Sequence, residues 1–417
     1  MKILWFEITT PSRYKNEGLV TAGWQDSLES IASSYEEVEL FICFESHSAD
    51  EKPKVCGNVT YIPIYTKVRK FDKIKRVLDN FTNIDSLLLK LRSVINNISP
   101  DIVHIFGVEW PIGLIADAID VPVVIHIQGS IVPYYNALYP PKYSSSNIRK
   151  HLRFPKNISF AFNEYRMKNW KKYEERVWKT VCYYMGRTDW DYGLSSVLHP
   201  NRKYWTVQEA IRPIFMDTNK RWKQSNKNVI KLVSTGCSSF WKGPDMMLKT
   251  AKILKETGLK FEWNIIGNIS TPVKLAVEGI EQTTFAENNI RILGFLGADS
   301  VVDILSQASL YVHTAYIENS PNSICEAQCL GVPIVSTNVG GISSLVEDKV
   351  DGVLVPANDP WQMAHAIQSL LGNKELMDRY SSKSREKALV RHNHTSIGDS
   401  LLGCYREVIT DYKKKRG

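Results

Sequence analysis

Two carboxylates eight positions apart, Glu318 and Glu326, flank Ser320-Pro321 in the segment YVHTAYIENSPNSICEAQCLGVPIVSTNVGG. Leu310 to Thr314 and Val332 to Val335 are short apolar, β-prone runs, so the pattern predicts strand, turn, helix, strand. Ser320 suits an N-cap and Pro321 the first helical position, where a missing N–H costs nothing. The amides of Asn322, Ser323 and Ile324 then leave the helix end without intrahelical acceptors, and such amides form an anion site. Glu326, about one turn deeper, can accept hydrogen bonds from vicinal hydroxyls such as a ribose diol. Glu318 lies before the turn, on the other side of the anion. Two glutamates at this spacing arise by chance in many chains. The neighbours add weight: Gly331-Val332-Pro333 closes the helix, and Gly340-Gly341 makes a second close-approach turn.

A second constellation is STGCSSFWKGPDMML, where Lys242 stands beside Gly243 after an apolar run. A lysine there can neutralise a phosphate, and the plainer alternative is a surface lysine at a helix start. His126, at the end of the apolar VIHIQG, either faces a ligand or is a hydrogen-bonded core histidine. Asp189-Trp190-Asp191 has the spacing of a metal-binding pair, but capping or solvated aspartates are the commoner case. His392 and His394 read as a solvated helix end, since nothing near them in sequence completes a ligand set. No metal is therefore assigned.

The elements that must hold these residues alternate short apolar strands with helical segments, the signature of parallel sheets. Predicted strands in the first half are 3–8, 38–44, 59–65, 102–106, 123–127 and 181–184. In the second they are 231–235, 261–266, 291–293, 309–314, 333–336 and 353–355. Between the halves, RPIFMDTNKRWKQSNKN is polar and charged and reads as a linker over 213–228. The expected organisation is a first domain over 1–212, a second over 229–395, and an amphipathic helix over 396–417 packing back on the first. The fold class is α/β, two Rossmann-like domains with a cleft between them. After the first strand comes NEGLVTAGWQDSLESIA, whose Gly18 and Gly23 allow close backbone approach at a strand's carboxyl end. It is not a GxGxxG fingerprint, so a nicotinamide cofactor has little support.

The 417 residues, 43% hydrophobic and 11% aromatic, describe a folded globular chain. The first residues read as a strand and not a secretory signal, and no apolar run approaches a membrane span. Seven cysteines without a CxxC suggest thiols in a reducing compartment, hence a cytoplasmic location; Cys325 and Cys329, one helical turn apart, read as core residues. Residues 142–179 hold eleven Lys and Arg against three acids, an excess equal to the whole net charge of +8. There Arg166, Lys168, Lys171, Lys172 and Lys179 interleave with Tyr165, Trp170, Tyr173 and Trp178. This suits an anionic membrane surface, with 67–81 as a second face; a solvated face with inward aromatics is the alternative. Nucleic-acid binding rests on charge alone and lacks any recognition motif.

With these residues set out, the second half resembles the nucleotide-sugar domain of the family-4 retaining glycosyltransferases, of GT-B fold. The resemblance is specific over about 232–371. It rests on STGCSSFWKGPDMML, NIRILGFL and the Glu318-to-Glu326 segment running on to VEDKVDGVLVPANDP, with Gly18 in the first half. GRTDWD followed by YWTVQEAIRPIF is similar to members that build bacterial surface polysaccharides. The resemblance implies a sugar transferred from a UDP- or GDP-linked donor to a glycan or lipid-linked acceptor, with no cofactor besides that co-substrate. Glu326 would hold the donor ribose, Glu318 would face the transferred sugar or its phosphate, and Lys242 would neutralise the diphosphate. Gly236 and the Asn322 helix end would belong to the donor site, Gly294, Phe295 and Leu296 would contact the base, Gly18 the diphosphate, and His126 the sugar. Two positions depart from the family. Cys237 stands where an arginine usually accompanies the lysine, and ENSP replaces EGFG. A non-catalytic sugar-nucleotide-binding protein on the same fold is the alternative.

Overall fold

The computed structural model describes residues 1–15, 23–67, 75–224 and 229–416. The chain divides into two compact units, one of residues 1–135, 162–210 and 392–417, the other of 136–161 and 211–391.

The first unit is built on an eight-stranded sheet in the order β3-β4-β2-β1-β5-β6-β7-β8. Its strands are β1 (Lys2–Glu7), β2 (Glu39–Ser46), β3 (Lys54–Cys56), β4 (Val59–Tyr65), β5 (Ile102–Phe106), β6 (Val123–His126), β7 (Tyr183–Gly186) and β8 (Lys203–Thr206). All pairings are parallel except β3 with β4. Alternation along β1 explains both layers. Ile3 and Trp5 enter one core with the helices Trp24–Ala32 and His394–Arg416, while Leu4 and Phe6 enter the other with helix Ile84–Ile98. Tyr405 ties the late helix in: its hydroxyl accepts from Trp5 Nε1 at 2.9 Å and meets His104 Nδ1 at 2.6 Å.

The second unit has six parallel strands in the order β11-β10-β9-β12-β13-β14. These are β9 (Ile230–Thr235), β10 (Phe261–Ile266), β11 (Ile290–Gly294), β12 (Leu310–His313), β13 (Ile334–Thr337) and β14 (Val353–Val355). Ranked by position within the unit, this is the doubly wound order 3-2-1-4-5-6. Such a sheet opens a ligand crevice at the carboxyl ends of its first and fourth strands, here β9 and β12.

Each strand expected from the apolar runs is present. The pattern misses β3 and β8, which are edge strands of three and four residues with no run of buried positions. The domain boundaries also differ. Residues 136–161 fall in the second unit because Tyr143, Ile148 and Leu152 are buried in its core, and Tyr143 donates to Glu281 Oε1 at 2.7 Å. Nor is the 213–228 stretch a free linker over its described part. Phe215 and Trp222 are buried in the second core, and the Trp222 backbone and indole donate to Leu330 O at 2.9 Å and Ala308 O at 2.8 Å.

Candidate functional site

At the end of β9 the chain turns through Gly236 at φ +61, where a side chain would be strained although the space beside it is open. A short 3-10 turn, Phe240–Lys242, follows. It closes on Gly243, where a Cβ would lie 1.9 Å from Thr314 O. Only glycine lets this turn sit against the chain leaving β12, and Thr314 Oγ1 donates to Lys242 O at 3.1 Å to hold it there. Lys242 is thereby brought to Glu318: its ammonium donates to Oε2 in a close ion pair. Glu318 is fixed from behind as well. Gly341 N donates to its carbonyl at 2.9 Å, and a Cβ on Gly340 would meet that carbonyl oxygen at 1.8 Å.

His313, the last residue of β12, completes the cluster with Nε2 3.8 Å from Glu318 Oε2. Burial pushes its imidazole down to about 4; Glu318 opposes that shift and Lys242 reinforces it. The ring is therefore neutral at physiological pH. Below it, Tyr311 bonds Thr235 Oγ1 at 2.9 Å and Ser323 through its hydroxyl. These two strand ends, β9 and β12, are the ones the topology selects.

Helix Asn322–Leu330 points its N-terminus at this edge. The cap is Pro321 and not Ser320, because Pro321 has the extended ψ of 115° and its carbonyl already accepts from Ile324 N at 2.9 Å. The expectation of three open amides is thus corrected. Asn322 and Ser323 are left without an intrahelical acceptor, whereas Ile324 is engaged. The Asn322 Oδ1 and His313 Nε2 atoms are buried with no hydrogen-bond partner, as expected of a pocket meant to be filled by a polar ligand. Glu326, 9% exposed, is held by Arg212, whose Nε and guanidinium nitrogen lie 3.1 Å and 2.6 Å from Oε1. Burial pulls the Glu326 carboxyl above its usual range, and Arg212 limits the rise.

Around the third strand of this half, Gly294 takes φ +76 and its carbonyl accepts from Gly267 N at 2.7 Å. Phe295 stands 84% exposed, and Leu296 packs on the core. Cys237 is buried, with its thiol pushed up to about 12 by burial, so it cannot stand in for an arginine. Cys325 and Cys329 are core residues of the second unit, as their spacing suggests.

Other expected site residues lie elsewhere. Gly18 is outside the described residues, as is 68–74 of the second basic face. His126 lies in the interior of the first unit, its Nδ1 buried without a hydrogen-bond partner. It is fully buried, with Nε2 3.0 Å from Val207 O and its ring against Trp24 and His104, because β6 runs through the middle of its sheet. Asp191 caps helix Asp189–Leu198, accepting from Arg187 N and Thr188 N. His392 is buried and bonds Glu209 O at 3.0 Å instead of being solvated. In helix Asn163–Thr180 the aromatics mostly turn inward: Trp170 donates to Glu109 O, Tyr173 donates to Asp79, and Trp178 is buried. Lys168, Lys172, Arg176 and Lys179 do face outward, beside the exposed Tyr165.

Sequence reasoning missed His313 and Arg212. His313 is legible only as the polar end of an apolar strand, and Arg212 only as a basic residue before Pro213.

Residues 216–387 match the family described as Glycosyl transferases group 1. The chain is 26% identical over 167 residues to an alpha-D-kanosaminyltransferase of Streptomyces kanamyceticus, covering 40% of this chain and 43% of that protein. It is 24% identical over 189 residues to the amylovoran biosynthesis glycosyltransferase AmsK of Erwinia amylovora, covering 43% and 45%. The matched stretch is thus less than half the length of these curated relatives. Among solved structures, Anabaena HepE in complex with UDP superposes with a TM-score of 0.66 at 15% identity, covering 98% of this chain and all of that one. That likeness establishes the GT-B fold.

Proposed function

We propose, from a chain whose residues 216–387 match the glycosyl transferases group 1 family, that this protein is a retaining, family-4 glycosyltransferase. It takes a sugar from a nucleotide-sugar donor to a glycan or lipid-linked acceptor in bacterial surface-polysaccharide synthesis. The observation that carries this reading is the meeting of Lys242, Glu318 and neutral His313 beside the Asn322 helix end, on the two strands that flank the crevice.

Each group answers one demand of the reaction. Breaking a glycosyl–phosphate bond leaves negative charge on the departing diphosphate and positive charge on the sugar ring. Lys242 and the amides of Asn322 and Ser323 meet the first. The Glu318 carboxylate, on a backbone held by Gly340 and Gly341, meets the second or a sugar hydroxyl. His313, uncharged, can donate or accept a hydrogen bond without adding charge. Glu326 is positioned for the ribose diol, and Phe295 and the Gly294 backbone for a uracil or guanine base. Fixed cations take the part a metal plays elsewhere. The relative HepE was crystallised with UDP, and AmsK is described as a biosynthetic enzyme of amylovoran; both favour this donor and acceptor class.

Thermal-shift screening against UDP-, GDP- and ADP-sugars tests the donor, since a ligand of the native state raises its stability. One nucleotide class should protect, and sugar release should follow. Lack of both would refute the reading. The outward row of Lys168, Lys172, Arg176 and Lys179 supports attachment to an anionic membrane face, with a cytoplasmic location. Among the described residues no helix is long and apolar enough to cross a membrane. Co-sedimentation with phosphatidylglycerol vesicles at low salt, lost at high salt, is the expected result.

A further inference from the structure

The first unit also carries a doubly wound order, so it has its own switch point, between β1 and β5. A cavity of about 190 Å³ opens at the carboxyl ends of β1 and β2, its walls including Phe6, Ile8, Trp110 and Phe81. We propose that this cavity binds an anionic saccharide, the acceptor or its terminal residue, with Arg76 as the counter-charge. The inference rests on the glycosyltransferase reading above and adds to it the class of acceptor.

Three observations carry it. First, the rim is polar in the way sugar sites are. Asn80, Asn83, Glu45 and His47 offer planar amides, a carboxylate and an imidazole toward a volume floored by apolar groups. Glu45 is held by Thr66 Oγ1 and lies 4.0 Å from His47 Nδ1, so it is oriented before any ligand arrives.

Second, the aromatic wall is rigid. Phe81 packs edge-on against Trp110, Trp170 and Tyr173, with centroids 5.8, 5.6 and 5.4 Å apart. Trp170 and Tyr173 are in turn pinned by hydrogen bonds to Glu109 O and Asp79. A fixed indole such as Trp110 suits the apolar face of a pyranose.

Third, the cavity contains unmet polar groups. Arg76 has no hydrogen bond or ion pair among the described residues, and its Nε is buried; the Asn83 side-chain amide nitrogen is likewise buried and unpartnered. Arg76 is half-buried, but its Nε is withdrawn from water without a partner, which is costly unless a ligand completes it, and guanidinium matches carboxylate or phosphate in two-point geometry. A uronate carboxylate and a sugar phosphate share that chemistry.

Ligand-observed saturation-transfer NMR on the full chain separates them, with methyl β-glucuronide, glucose-6-phosphate and neutral methyl β-glucoside as probes. We expect at least one anionic probe to bind clearly more tightly than the glucoside, and the preferred one to identify the anion. Arg76→Gln should weaken that probe about tenfold, Arg76→Lys should restore part of the preference, and Asn80→Asp should repel the anionic probes while sparing the neutral one. Equal binding of all three probes, or an anionic preference untouched by Arg76→Gln, overturns the proposal. Melting curves confirm that each variant is folded. Protection by UDP-sugar, read on the same sample, reports separately on the second unit. Its loss would count against the transferase assignment and leave the saccharide result standing.

Discussion

Arg212 lies 2.6 Å from Glu326 and stacks over Phe215 at 4.7 Å, so the carboxylate proposed for ribose is already engaged by a cation of its own unit. Both partners are mostly buried. A ribose diol must therefore share Glu326 with Arg212, and the arginine fixes the rotamer that the diol meets. Arg212→Ala leaves a buried carboxylate without a counter-charge and should cost about 3 kcal/mol in urea unfolding. Glu326→Gln keeps the volume but loses the charged acceptor. It should weaken UDP or GDP binding about tenfold in calorimetry and, by leaving Arg212 without its counter-charge, also lower the melting temperature. Unchanged nucleotide affinity in that variant would remove Glu326 from the donor site.

Lys242 is the cation nearest Glu318 in the second unit, and Cys237 cannot supplement it. Lys242→Ala should lower sugar transfer or donor hydrolysis by about 100-fold or more, the usual scale for removing a group that stabilises developing charge. The loss should fall mainly on kcat. A loss confined to KM would mean that the ammonium holds the ground state only.

Gly340 and Gly236 form a controlled pair. Both have positive φ, but only Gly340 is crowded, with Glu318 O where its Cβ would go. Gly236→Ala should cost about 1 kcal/mol from backbone strain alone. Gly340→Ala should cost about 3 kcal/mol or more, and should also reduce nucleotide-sugar turnover because Glu318 must shift. Equal effects of the two substitutions would show that Glu318 is not held by this turn.

His313 gives a pH signature with a definite sign. Its folded value of about 4 lies below the ordinary 6.5, so between those values the unfolded chain binds more protons than the native one. Stability is then lost as pH falls from about 6.5 towards 4, by about 2 kcal/mol at pH 5 relative to pH 7. Glu326 acts in the opposite direction: raised by burial, it binds its proton more readily when folded, so its destabilising contribution fades on acidification. His313→Gln should flatten the pH 7 to pH 5 decline in denaturant unfolding by about 2 kcal/mol. A slope identical to that of the unaltered protein would refute the assignment.

Much of this arrangement is legible in the residues themselves. Apolar runs mark the interior strands because strands covered on both faces need continuous hydrophobic sequence. The edge strands β3 and β8 lack that requirement and are invisible to it. Glu318, Glu326, Lys242 and the helix end are readable because glycine, proline and carboxylate positions carry local geometry. The burial of His126 is hidden because it depends on which strands flank β6, and Arg212 is overlooked because its partner is 114 positions away. The same limit hides the membership of 136–161, which is decided by Tyr143 and Leu152 finding a distant core.

Trp5 and Tyr405, hydrogen-bonded inside the first unit, are separated by 400 residues. On a ribosome, the opening strand therefore emerges long before the helix that covers it, and everything in the second unit is synthesised in between. Vectorial folding would run in reverse of chain order: the later-encoded unit can close first, while the earlier one waits with part of its interior uncovered, the period in which a chaperone would be engaged.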